Sequence, residues 1–180
     1  MIFEPALLPG AFVVRYEPLR DDRGYFARVF DRDEFARAGL ETEYPQHSVA
    51  HNFRHNLIRG MHFQAPPHTE AKLVRCSSGT IFDVMVDVRP RSPAFGHWYG
   101  LRLGEPDSAM LYVPRGFAHG YQTLTEKSEV HYLISTPYEP TAFRGFRWDD
   151  PRVGIDWPLD APFVSERDAA LPPLAGLEIW

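Results

Sequence analysis

The sequence holds a single cysteine, Cys76, in 180 residues. That excludes an intrachain disulfide framework and a cysteine-built zinc site. Long apolar runs are missing too: no stretch approaches the roughly 18 residues that a membrane helix needs. The N-terminus has neither the basic start nor the apolar run of a signal peptide. A cytoplasmic protein with no membrane partner is expected. Nor is there a basic excess, since 19 Lys and Arg against 24 Asp and Glu leave a formal net charge of −5. That argues against nucleic acid as a partner, although a local basic pocket can still seat a phosphate. No phosphate-cradling glycine loop is present, and no Ser or Cys stands in a nucleophile elbow. Repeats, low-complexity tracts and linkers are absent, so one domain over residues 1–180 is expected.

What the chain has in quantity is punctuation: 17 Pro and 13 Gly interrupt it too often for a helical bundle. Phe12 to Tyr16 reads as a strand, Asp21-Asp22-Arg23-Gly24 as a turn, and Tyr25 to Phe30 as a second strand. One helix is signalled, with Asp31 as its cap, Glu34 three residues on and Gly39 closing it. Short strand-like runs follow at Leu57–Gln64, Lys72–Cys76, Ile81–Val88, His97–Leu103, Met110–Val113, Gly120–Leu124 and Glu129–Ser135. Many short strands with Gly/Pro turns predict an all-β sandwich or barrel. The Pro-rich tail from Trp157 is expected to wrap the body, with a helical turn near Ser165–Ala170.

Parity along the strands gives the first functional hint. In Ile81–Val88, Asp83 shares a face with Ile81, Met85 and Asp87, while Phe82, Val84, Val86 and Val88 share the other. His62 falls on the face of Ile58 and Gln64, and Lys72 on that of Val74 and Cys76. A barrel with a wet interior gives this pattern, as does an outward polar row. The eight histidines raise a metal reading through His62, Glu70 and His119. However, Gln64 stands where a His-x-His pair needs its second ligand. The alternative is acid–base chemistry beside a carbonyl. His62 suits the base, with Asp168 or Asp83 as its carboxylate partner, Lys72 an enolate stabiliser and Tyr132 an acid on the opposite face.

Five stretches carry a resemblance: DDRGYF at 21–26, LIRGMHFQ at 57–64, AKLVRCSSGTIFDVMVDVRPRSPAFG at 71–96, VPRGFAHGY at 113–121 and RGFRWDDPRVGIDWP at 144–158. The chain resembles the dTDP-4-dehydrorhamnose 3,5-epimerases, RmlC-like members of the cupin class. The resemblance implies a cupin jelly roll, a homodimer, a nucleotide-diphosphate sugar as substrate and no cofactor or metal. It implies His62 as catalytic base, Asp168 as its partner, Tyr132 as proton donor and Lys72 near the 4-keto oxygen. Arg59 and His119 then look like substrate contacts, with Arg167 beside them, and Arg23 and Gln46 like contacts to the nucleotide end. Arg59 and His62, three positions apart, should point to opposite faces; a bulge or bend at Gly60 would reconcile them.

Several positions depart from the family pattern. Arg28 and Phe143 stand where carboxylates are frequent, Arg167 and Leu133 where Lys is, and Gln46-His47-Ser48 replaces Gln-Asp-Asn. They bear on the substrate more than on the base or acid. The expected reaction is inversion at C3 and C5 of an NDP-4-keto-6-deoxyhexose. Inversion at one centre, a different nucleotide-sugar and a catalytically silent sugar-nucleotide-binding cupin are the alternatives.

Overall fold

The computed structural model describes residues 1–104 and 107–177. Its strands, in chain order, are β1 (Ile2–Pro5), β2 (Phe12–Arg15), β3 (Leu19–Asp21), β4 (Gly24–Phe26), β5 (Gln46–Asn52), β6 (Leu57–Gln64) and β7 (Lys72–Ser78). There follow β8 (Thr80–Asp87), β9 (Trp98–Gly104), β10 (Ala109–Val113), β11 (Phe117–Thr123), β12 (Ser128–Ile134), β13 (Phe143–Gly145) and β14 (Phe163–Val164). One sheet runs β1-β2-β10-β7-β12-β5 and the other β13-β6-β11-β8-β9, with β14 added parallel to β6. The two enclose an apolar interior in a cupin jelly roll, and the β3–β4 hairpin belongs to neither.

Alternation places the core. Ile81 and Met85 of β8 join Val74, Leu111, Val130 and Tyr121 inside, whereas Val84, Val86 and Val88 face out. Both faces are buried, because the outer one carries its own cover. Phe146 and Val153 from the segment after β13, with Trp157 and Leu174 from the Pro-rich tail, pack on it. The WDDP…GIDWP stretch is folded for this purpose. Asp150, 2% exposed, accepts from the Arg152 and Leu174 N–H groups at 2.9 and 2.7 Å, and Trp157 Nε1 donates to the Trp148 carbonyl. Farther on, the Gln122 amide grips the Leu159 backbone from both ends, and β14 then pairs with β6. The other sheet is covered by helix α1 (Arg32–Arg37), whose Phe35 packs on Phe3, Phe30 and Tyr44.

Local signals account for α1. Asp31 Oδ1 accepts from the Asp33 and Glu34 N–H groups, and Gly39 at φ +71° ends the turn. Glu34 does not close a capping box; its carboxylate binds the Met1 ammonium at 2.7 Å. The expected strand Tyr25–Phe30 stops at Phe26, because Phe30 turns in under the helix to meet Phe35 and Tyr44. β1, β3, β5, β13 and β14 were not signalled by the sequence: they are edge, hairpin or very short strands without clean alternation.

The bulge expected at Gly60 is present. β6 pairs with β11 through His62↔His119 and then Arg59↔Tyr121, a register shift of one residue. It corrects the simple parity reading: Arg59, not Ile58, shares the inner face with His62, and Ile58 pairs with Gln122 on the outer side. Two glycines make it possible. A Cβ on Gly60, at φ +135°, would lie 2.6 Å from Gly120 Cα, and one on Gly120 would lie 2.8 Å from the Arg59 carbonyl oxygen. Gly60→Ala is therefore expected to cost about 1–3 kcal/mol, measured by urea denaturation. A neutral outcome would mean that the backbone can pass here without the bulge.

Candidate active site

A cavity of about 370 Å³ opens between the sheets at one end of the barrel. From β6 and β11 it receives Arg59, His62, Gln64, His119 and Tyr121; from β5, β7 and β12 it receives Gln46, Ser48, Lys72, Tyr132 and Ile134. β13 adds Phe143, and the tail adds Ser165, Arg167 and Asp168.

His62 Nε2 lies 2.7 Å from Asp168 Oδ1. Asp168 is placed by the short helix α2 (Glu166–Ala169), which Ser165 caps by accepting from the Asp168 N–H. Its second oxygen takes the Gly60 N–H at 3.2 Å, so the residue that makes the bulge also anchors the carboxylate. Burial alone would raise the Asp168 carboxyl. The His62 hydrogen bond and charge, the Gly60 N–H and Arg167 outweigh it and hold the carboxyl below its ordinary 3.8. An ionised carboxylate can only accept, so Nε2 carries the hydrogen and the lone pair of His62 sits on Nδ1.

His119 Nε2 is 2.8 Å from Asp83 Oδ1, both deeply buried. The second Asp83 oxygen has no hydrogen-bond partner among the described residues. The Tyr132 ring meets the His119 ring edge-on, centroids 5.8 Å apart. Burial first, then the Tyr121 and Asp83 neighbours, push the Tyr132 phenol well above its ordinary range; Arg59 pulls the other way. Near neutral pH it holds its proton. Lys72 Nζ pairs with Glu70 Oε1 at 2.9 Å, nearly out of solvent. Arg59 Nε donates to Asn52 Oδ1, and Gln46 Oε1 accepts from the Tyr138 N–H. The Arg167 guanidinium lies 4.0 Å over the Phe143 ring, which in turn tilts against His62.

Eight of the nine expected site residues thus share one cavity. Arg23 does not join them. It sits on the β3–β4 hairpin, 89% exposed and bonded to Asp21. Asp83, one of two carboxylates considered for His62, serves His119 instead. The metal set is broken up in the same way, with His62, Glu70 and His119 tied to Asp168, Lys72 and Asp83. Among the described residues no group of three or more His, Cys, Asp or Glu is arranged to hold a metal ion. Gln64 spends its amide on the backbone, donating to the His68 and Pro137 carbonyls and accepting from the Glu139 N–H. Tyr121 and Asn52 were missed. Tyr121 follows His119 by two and was findable by parity; Asn52 lies in β5, which the sequence did not signal.

The description of the dTDP-4-dehydrorhamnose 3,5-epimerase family matches residues 5–176. The chain belongs to this family. An epimerase of that name from Sinorhizobium fredii is 37% identical over 99% of this chain and 92% of its own length. The Legionella pneumophila enzyme, solved in complex with dTDP-4-keto-L-rhamnose, superposes with a TM-score of 0.94 at 28% identity, over 98% of this chain and 94% of its own. A 3′-monoepimerase from Streptomyces bikiniensis, in complex with dTDP-quinovose, gives 0.90 at 32% identity, over 96% and 87%. Within the described residues no helix is long and apolar enough to cross a membrane.

The lowered Asp168 carboxyl has a consequence for stability. A carboxylate depressed on folding stabilises fully above the ordinary carboxylate range and loses that contribution as pH falls through its lowered value. Near neutrality Asp168→Asn should cost about 1–3 kcal/mol in urea denaturation. The gap from wild type should then narrow below about pH 4. A gap independent of pH would contradict a charged dyad.

Proposed function

We propose that the protein inverts C3 and C5 of dTDP-4-dehydro-6-deoxyglucose, giving dTDP-4-dehydrorhamnose, by proton transfer without a cofactor. One observation carries the reading. A histidine of one sheet paired with a carboxylate from the tail, and a proton-bearing phenol from the other sheet, line the same cavity. His62 Nδ1 takes the C–H proton beside the ketone, and the bond's electron pair moves onto the carbonyl oxygen as an enolate. Asp168 steadies the imidazolium through Nε2. Lys72 donates to the enolate oxygen, its charge kept near the cavity by Glu70. Tyr132 then gives its proton to the carbon from the far face, and the enolate electrons return to form the C–H bond. Solvent restores the phenol and discharges His62. His119 with Asp83 contacts the sugar, and Arg59, Gln46 and Arg167 the nucleotide diphosphate.

Arg23 fits this reading through a second copy. Its hairpin stands apart from both sheets and exposes Leu19, Tyr25 and Phe26, and β5 exposes Val49 nearby in sequence to Gln46. We infer a homodimer in which the hairpin of one copy brings Arg23 to the nucleotide end of its partner's cavity. Lacking any cysteine pair and acting on a nucleotide sugar, the enzyme fits the cytoplasm. Similarity to the Streptomyces monoepimerase and the unusual Phe143 beside His62 favour a second reading, inversion at C3 alone.

Incubation with the 4-keto sugar nucleotide in D₂O distinguishes these, because NMR reads exchange and inversion at each carbon. Deuterium and inversion at both carbons are expected, and at C3 alone on the second reading. His62→Ala should lose exchange at both. Tyr132→Phe should still admit deuterium while inverted product falls by about 10²–10⁴-fold. Inversion by Tyr132→Phe at the wild-type rate would remove the phenol from its role.

A further inference from the structure

Asn52 lies at the end of β5, 1% exposed, behind two residues that line the cavity, Arg59 and Tyr121. Its amide is used at both ends. Nδ2 donates to Ser128 Oγ at 3.1 Å and to the Ser128 carbonyl at 3.4 Å, across the β5–β12 pair. Oδ1 accepts from Arg59 Nε at 3.0 Å and from the Tyr121 hydroxyl at 3.1 Å. The orientation is forced, because a guanidinium N–H can only donate and a backbone carbonyl can only accept. Asn52 thus bridges the sheets: it is held by the one that carries Tyr132 and holds two side chains of the other.

Each held side chain faces the cavity. With Nε committed to Asn52, the Arg59 guanidinium is left with its terminal nitrogens for an anion, the fork that suits a phosphate. With its proton committed to Asn52, the Tyr121 hydroxyl has only lone pairs to offer the cavity it shares with Tyr132, whose ring, like that of Tyr121, lies against the His119 ring. An acceptor fixed there is suited to receive the Tyr132 O–H and keep that phenol protonated between turnovers.

We propose that Asn52 is a positioning residue for both ends of the substrate, fixing Arg59 for the diphosphate and, through Tyr121, the Tyr132 proton donor. The proposal rests on the epimerase reading above and deepens it. It also separates two tasks that a merely structural asparagine would not touch. Nucleotide affinity depends on the Arg59 arm, and the return of the proton on the Tyr121 arm.

The test uses the full-length protein with dTDP as the binding probe and the D₂O assay as the kinetic one. Asn52→Leu, close in size and without polar atoms, should weaken dTDP binding about tenfold, the loss of a hydrogen bond to a charged group. It should also raise the ratio of exchange to inversion. Tyr121→Phe should raise that ratio several-fold and leave dTDP affinity within about twofold. Asn52→Asp keeps both acceptor contacts and should restore dTDP affinity relative to Asn52→Leu; as a second variant it also covers the case in which Asn52→Leu fails to fold. Wild-type dTDP affinity and exchange ratio in a folded Asn52→Leu, or failure of Asn52→Asp to bind better than Asn52→Leu, would overturn the proposal. A wild-type protein that binds dTDP but neither exchanges nor inverts would overturn the epimerase reading instead, and leaves the Arg59 arm to be judged on dTDP affinity alone.

Discussion

Two glycines facing each other across neighbouring strands, Gly60 and Gly120, set the geometry on which the cavity depends. A regular β6 would send Arg59 and His62 to opposite sides of the sheet, one into the barrel and one into the tail. The bulge between them turns both inward and leaves Ile58 and Met61 for the outer face, where Met61 joins the core under the tail. Neither glycine can carry a side chain, since each Cβ would strike the other strand's backbone. The same Gly60 then donates its N–H to Asp168, so one local distortion both aims the histidine and receives its carboxylate.

That carboxylate comes from the far end of the chain, and the tail is what delivers it. Asp150, Trp157 and Gln122 satisfy backbone groups that a Pro-rich segment cannot pair in a sheet. β14 and Ser165 then fix the last few residues before Asp168. The tail's apolar side covers Val84, Val86 and Ala118, residues that would otherwise face water. Core and cavity therefore share their stability: loosening the cover removes the carboxylate paired with His62 as well.

Much of this was legible in the sequence. Glycine and proline punctuation with β-branched runs led to an all-β fold, the Asp31 cap and Gly39 marked the helix, and the tail's helical turn was placed over the residues that form α2. The clash of parity between Arg59 and His62 pointed to the bulge at Gly60. Less visible were strands defined by partners more than by pattern. β5 is an edge strand whose His, Ser, Ala and Asn residues alternate weakly, and β13 and β14 are too short to show a period. Asn52 was lost with β5. The pairing of Asp83 with His119 was not legible, and spacing alone left Asp83 and Asp168 open as partners of His62; only the family resemblance pointed to Asp168. Nor could it show that Arg23 lies on a hairpin outside the cavity.

The division of labour in the cavity follows from where each group is buried and what it touches. His62 meets a carboxylate held ionised by hydrogen bonds, which fixes the ring with its Nε2–H on Asp168 and its other nitrogen turned away from that bond. Tyr132, half-buried in the cavity wall, meets a second tyrosine and a buried acid, and burial with these neighbours favours the neutral phenol. On the proposed mechanism the first group takes a proton from carbon, and the second gives one up only to a stronger base, an enolate carbon. Placing the two on different sheets sets them on opposite sides of the cavity, so that the proton removed and the proton returned are different ones, arriving at opposite faces of the bound sugar. A single histidine in the same barrel would exchange protons at one face and leave the configuration unchanged. Inversion needs the second sheet.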